Sequence, residues 1–212
     1  MTTALFVAGL VAVFLVWGLL SRRHALPCPA WLAWLVERDN PLFKSAQAKT
    51  ILAHLELRPG MRALDVGCGP GRLTIPIAEQ VGPTGRVVAL DLQAGMLVRA
   101  KAAAQRAGLA NIDFVQVAIG NGELHFGAFD RAVLVTVLGE VHDRKAALAE
   151  IFEALKPGGL LAVTEVIVDP HFQPRGRVLA LAVTVGFREK MRTGGRFAYS
   201  LYLERPADQT SA

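Results

Sequence analysis

Cysteine is almost absent from this chain: only Cys28 and Cys68 occur in 212 residues. Two thiols so placed supply neither a disulfide framework nor a C-x-x-C pair for zinc, so no metal centre is expected and a reducing compartment fits. Charge is sparse as well, at 19% of residues, and the first charged side chain is Arg22. What charge there is leans basic, 23 Lys and Arg against 18 Asp and Glu, a formal net charge of +5. The basic residues are interspersed with acidic ones and form no stripe interleaved with aromatics, which speaks against a nucleic-acid partner. Attraction to anionic lipid head groups accounts for the same excess. There is no internal repeat and no low-complexity tract. The length suits one domain of about 100–200 residues with a short appendage.

Apolar residues, by contrast, make up 52% of the chain, mean hydropathy is +0.36, and the excess sits at the start. Residues 4–20 read ALFVAGLVAVFLVWGLL, close to the roughly 20 residues that cross a bilayer core. We read residues 1–24 as a transmembrane anchor. A cleaved signal peptide needs positive charge before the apolar run and a small-x-small site after it, whereas Ser21-Arg22-Arg23-His24 follow. A helix buried in a soluble core is the third reading, disfavoured by the length of the run. By the positive-inside rule the basic cluster keeps the rest of the chain in the cytoplasm, which makes this a single-pass protein with a cytoplasmic domain, partnered by the lipid bilayer. In residues 25–45, Pro27 and Pro29 break the helix, and Trp31 and Trp34 fall on one face of a new one. That helix either lies at the bilayer surface, where tryptophan is favoured, or packs over the folded domain.

From residue 46 the pattern changes. An amphipathic helix over 46–57 closes at Arg58-Pro59-Gly60. Strands are then expected at 62–66, 86–90, 112–117, 131–137 and 160–166, with helices at 72–81, 95–107 and 145–155 and a turn at Lys156-Pro157-Gly158-Gly159. Strands alternating with helices predict an α/β domain, a parallel sheet with helices on both faces. After a helix around 178–184, the runs 187–191 and 197–203 flank Arg192-Thr193-Gly194-Gly195, a hairpin signal. Residues 206–212 read as a flexible tail.

The strongest local signal is Leu64-Asp65-Val66-Gly67-Cys68-Gly69-Pro70-Gly71, a strand that runs into a glycine-rich turn and then a helix. Such a turn lets backbone approach a ligand closely at a helix N-terminus. A nicotinamide fingerprint, G-x-G-x-x-G, needs glycine where Arg72 stands; the match is to G-x-G-x-G. One strand later, Val87-Val88-Ala89-Leu90-Asp91 puts a carboxylate at the carboxyl end, placed to accept both hydroxyls of a ribose. A solvated turn aspartate is the plainer alternative for Asp91. Cys68 reads as a small packing residue and not a nucleophile.

The order ALDVGCGPG, VVALD, FDRAVLV, LKPGGLLAVTE resembles the class I S-adenosylmethionine-dependent methyltransferases over about residues 46–205. The resemblance implies a Rossmann-like seven-stranded, mostly parallel sheet with an antiparallel last strand, and S-adenosylmethionine as cofactor. It further implies that Asp65, Gly67, Gly69 and Gly71, with Cys68 between them, line the methionine and ribose part of the cofactor. Asp91 then binds the ribose, Leu92 packs on adenine, and Thr136 adds to the set. Many relatives carry Gly-Asp-Ala after the third strand, where this chain has Val117-Ala118-Ile119. With Ala118 in the aspartate's place, the adenine contact has to come from backbone or from a neighbour such as Asn121.

Ligands of open α/β sheets bind at the carboxyl ends of the strands, which selects Thr136, Glu140 and His142 after the fourth strand and Glu165, Asp169 and His171 after the fifth. Glu140, His142 and Glu165 are the catalytic candidates. An imidazole suits proton transfer near neutrality, although a loop histidine is often just surface. The anchor, the Trp-rich helix and VTVLGEVHDR also resemble small bacterial membrane-associated methyltransferases similar to those acting on quinones and phospholipids. This implies a lipophilic small-molecule acceptor: a phospholipid amine such as phosphatidylethanolamine first, a quinone-type phenol next, a small thiol third. A nucleic-acid methyltransferase fits less well, since Leu138-Gly139-Glu140 stands where adenine-amino enzymes carry Asn or Asp-Pro-Pro-aromatic. A non-catalytic module that keeps the fold is a further reading, motivated by Ala118.

Overall fold

The computed structural model describes Asp39, residues 41–124 and residues 127–207. The expected anchor at 1–24, most of segment 25–45 and the end of the tail lie outside these residues. Among the described residues no helix is long and apolar enough to cross a membrane.

Five strands, β1 (Arg62–Val66), β2 (Arg86–Asp91), β3 (Ile112–Gln116), β4 (Phe129–Val135) and β5 (Leu155–Val166), run parallel. The hairpin β6 (Arg188–Gly194) and β7 (Ala198–Glu204) completes the sheet, β7 lying antiparallel to both β5 and β6. The order is β3-β2-β1-β4-β5-β7-β6, so the topological switch falls between β1 and β4. The helices are α1 (Ala48–Ala53), α2 (Thr74–Val81), α3 (Ala94–Arg106), α4 (Arg144–Ala154) and α5 (Arg175–Val185).

Successive side chains of a strand point to opposite faces, and here neighbouring residues part accordingly. Ala63, Val87, Val133 and Ala162 pack with Ile51 of α1 and Ile77 and Val81 of α2. Leu64, Val88, Leu134 and Val163 pack with Leu148 and Ile151 of α4 and Val178 of α5. Cys68 joins Ala89 beneath Leu97 and Ala100 of α3. Removing one such Leu or Ile from water contributes about 1.5–3 kcal/mol, and both faces of the central strands are used. That is why these strands read as continuous apolar runs.

Several boundaries differ from expectation. The helix expected at 46–57 is a 3-10 turn, Lys44–Ala46, followed by the short α1. The helix expected from residue 72 begins at Thr74, and Arg72 reaches from the turn before it to Asp39 (2.6 Å) and the Ala46 carbonyl (3.1 Å). Asp39 also accepts the Ala48 N–H at 2.9 Å, so the chain enters the domain strapped to the glycine-rich turn. Residues 156–159 fall within the bounds of β5 but bulge out of its ladder, whose register steps from Phe129 beside Leu155 to Arg131 beside Leu160, and Gly158 turns there at φ 76° with its N–H on Arg205 O at 2.8 Å. The hairpin turn is shifted to 195–197.

Candidate cofactor and acceptor site

The chain leaves β1 through a turn that only glycine can make at its first position. Gly67 has φ 69°, a conformation costing an L side chain roughly 1–2 kcal/mol, and a Cβ there would overlap the Val137 side chain. The turn is then fastened to β2: Cys68 N–H donates to Leu90 O at 2.8 Å, and Gly69 N–H donates to Asp91 Oδ2 at 2.8 Å. The other Asp91 oxygen accepts the Gln93 N–H, also at 2.8 Å, at the start of α3. A carboxylate oxygen accepts about two hydrogen bonds, so each Asp91 oxygen keeps capacity for one hydroxyl. Burial raises the pKa of Asp91, and the Gln93 and Gly69 amides pull the other way.

Leu92 follows with an exposed side chain, 54% accessible, its carbonyl held by Gln116 Nε2 at 3.0 Å. An apolar platform beside paired acceptor positions fits a nucleoside: vicinal hydroxyls on Asp91, a planar base on Leu92. The residues present therefore fit S-adenosylmethionine. Asp65 is buried under the turn, and its Oδ2 accepts the Thr74 hydroxyl at 2.6 Å; burial pushes its pKa up to about 6. It ties the end of β1 to the start of α2 and braces the turn from beneath. Cys68 is buried and its thiol pKa is raised chiefly by desolvation, as for a packing residue. Ala118 is half-buried, and Asn121 stands exposed on a turn tied to α4 by Gly122 N–H to Glu150 Oε1 at 2.5 Å.

A second polar cluster lies past the ends of β4 and β5. Thr136 takes φ 55°, its N–H on Thr164 O at 2.9 Å, and the chain turns into the 3-10 segment Leu138–Glu140. Arg144 holds that segment through the carbonyls of Leu138 (3.2 Å) and Gly139 (3.1 Å). A Cβ at Gly139 would overlap the backbone of His171, so segment and post-β5 loop are in direct contact. Glu140 Oε1 thereby lies 3.8 Å from His171 Nδ1, with Asp169 Oδ1 at 3.7 Å. Behind them Gln173 N–H donates to Glu165 Oε2 at 3.1 Å, Gln173 Nε2 to His171 O at 2.7 Å, and Tyr199 OH to Gln173 O at 2.6 Å. Glu165 is 1% exposed, and burial drives its pKa up to about 8. Desolvation raises Asp169 too. Glu165 Oε1 has no hydrogen-bond partner among the described residues.

The glycine-rich turn, Asp91 and Leu92 thus come together at one place, and Glu140 and Glu165 share the second cluster. His142 is exposed on the loop before α4 and contributes nothing to it; His171 is the buried imidazole there. Gln173 and Tyr199 were not singled out from the sequence. Tyr199 pairs with Glu165 in register because β7 is antiparallel, which brings its beginning to the edge where β5 ends. The hairpin signal was the clue that could have found it.

A doubly wound sheet with this switch point, this turn and this carboxylate defines a Rossmann-like domain of the S-adenosylmethionine-binding class. The chain belongs to the methyltransferase-domain family, whose model matches residues 57–184. It is 39% identical over 109 residues to a demethylmenaquinone methyltransferase of Lactococcus lactis subsp. lactis, a match covering 50% of this chain and 42% of that protein. It is 34% identical over 148 residues to an arsenite methyltransferase of Aquipseudomonas alcaligenes, covering 66% and 43%. The matched region therefore spans less than half the length of either relative. Its fold is like that of a SAM-dependent methyltransferase from Aquifex aeolicus, with TM-score 0.73, 21% identity, and 84% of this chain and 99% of that one covered.

Proposed function

We propose that this protein is an S-adenosylmethionine-dependent methyltransferase acting at a membrane on a lipophilic acceptor. The observation that carries the reaction is the Asp91 carboxylate, pinned between Gly69 and Gln93 with one acceptor position left on each oxygen. The uncharged run at residues 4–20 carries the location. The likeness to a demethylmenaquinone methyltransferase moves a quinone-type ring ahead of the phospholipid amine that the sequence alone put first.

The cofactor supplies an electrophilic methyl group on a sulfonium, and transfer is an in-line displacement in which positioning does much of the work. Gly67 to Gly71, Asp91 and Leu92 would hold the donor. Glu140 and His171 face each other across the adjoining loops, and we assign His171 as the group that takes the acceptor's proton, with Glu140 and Asp169 beside its Nδ1. Glu165 is a positioning residue: it holds the His171 loop through Gln173.

The test is transfer of labelled methyl from S-adenosylmethionine into a total membrane-lipid extract by the full chain, with Asp91→Ala as control. Label in an organic-soluble product, lost in the control, supports the reading. No label despite cofactor binding overturns the lipophilic acceptor and points to small soluble acceptors.

A further inference from the structure

Seven large hydrophobic side chains are markedly exposed on the described surface: Leu42, Leu92, Val98, Ile167, Val168, Val183 and Phe197. Four of them, Leu42, Ile167, Val168 and Phe197, belong to one rim. Ile167 N–H donates to the Phe197 carbonyl at 2.7 Å, which sets the end of β5 beside the β6–β7 turn. Leu42 lies across a groove of about 470 Å³ whose far side is Gly194, Gly195 and Ala198 of the same turn. Leu42 is 82% exposed, Val168 58% and Phe197 56%, and apolar side chains grouped on one rim, unlike singly scattered ones, mark an interaction surface.

Basic groups surround the rim. Lys44 lines the groove, and Arg196 lies over the Phe197 ring at 5.0 Å. Among the described residues neither forms an ion pair, whereas Lys190 and Arg192 on β6 are neutralised by Glu56 and Glu189. Apolar side chains ringed by unneutralised cations match a lipid interface with negative head groups. The rim is also where the chain comes from its apolar segment: Asp39 precedes Leu42 by three positions, and upstream lie the uncharged run 4–20 and Arg22-Arg23. Because β5 ends here, the rim is on the same sheet edge as Asp91 and Glu140.

We propose that this rim, Leu42, Ile167, Val168 and Phe197 with Lys44 and Arg196, rests on an anionic bilayer surface and turns the acceptor cleft toward the lipid. The proposal rests on the membrane reading of the previous section and adds an orientation to it. An anchor alone leaves the domain free to tumble on its tether; a seated rim places the cleft where a lipophilic acceptor leaves the bilayer.

The full chain, reconstituted into vesicles of phosphatidylcholine alone or with phosphatidylglycerol, is followed by hydrogen exchange and by sedimentation after a high-salt wash. With phosphatidylglycerol, amides of 41–45, 166–170 and 194–198 slow by about an order of magnitude while the α3 amides do not change. A Val168→Ser, Phe197→Ser double variant still sediments with vesicles and loses that protection. Vesicle-bound protein with equal rim exchange in both lipids overturns the seated rim and leaves the anchor standing. Equal protection in detergent overturns it in favour of cover by the chain's own upstream residues. A chain that does not sediment with vesicles overturns the membrane reading, and the rim with it.

Discussion

Asp91 accepts the N–H of Gly69 at 2.8 Å, so the carboxylate that ends β2 closes the turn that begins at the end of β1. The cofactor cleft is therefore one unit. The turn shapes the carboxylate's surroundings, and the carboxylate fixes the turn.

The tightest point of that turn predicts a measurable conflict. Gly67→Ala should destabilise the chain by about 2–4 kcal/mol, part from the left-handed φ and part from overlap with Val137. Adding Val137→Ala removes the overlap and should recover only its share. A denaturant double-mutant cycle reads this directly as a coupling between the two positions; strictly additive losses would contradict the packing described.

Burial of Glu165 predicts a pH dependence of stability. Its folded pKa of about 8 stands above the unfolded 4.5, so the native state binds the extra proton and stability falls as pH rises between these values. Asp65, raised from 3.8 to about 6, acts in the same direction lower down, so Glu165 is read from the difference between parent and variant over pH 6 to 8. Glu165→Gln should flatten the stability profile there, where one such proton contributes up to about 1.4 kcal/mol per pH unit. Thermal melts at stepped pH check it, and an unchanged slope in the variant rules the group out.

The two histidines should part in their kinetics. His142 is exposed, and His142→Ala should leave methyl transfer within about twofold of the parent. His171 is buried between Glu140 and Asp169, and His171→Ala should slow transfer by about a hundredfold or more, with cofactor affinity retained. Equal effects from both variants would remove the assignment.

Location separates from chemistry. The full chain should fractionate with membranes and resist a high-salt wash, and a chain lacking residues 1–24 should release more readily. If salt alone strips the full chain, residues 4–20 do not span the bilayer.

Much of this was legible because a parallel sheet buried on both faces imposes strong local patterns. Ala63-Leu64-Asp65-Val66 and Val87 to Asp91 announce their strands, and a carboxylate after the second strand has few roles beside a glycine turn. Harder to read was whatever depends on where a chain bends. Glu140 turns inward and His142 outward because Thr136 leaves β4 at φ 55° and a 3-10 segment follows, and no periodicity encodes that kink. Tyr199 stayed hidden because the strand-end rule concerns parallel strands, whereas it lies at the start of an antiparallel one; Gln173 stayed hidden because nothing in its spacing marks the contacts it makes with Glu165 and the His171 carbonyl. Arg72 resembled a helix start but left to meet Asp39, a partner more than thirty positions away.

The most direct test of the central claim is calorimetric titration of S-adenosylmethionine into the full chain and its Asp91→Asn variant, both shown to be folded. The parent should bind, and the variant should lose about tenfold to hundredfold in affinity, as for weakened hydrogen bonds to a charged group. Equal affinities, or a folded parent that does not bind, would contradict it.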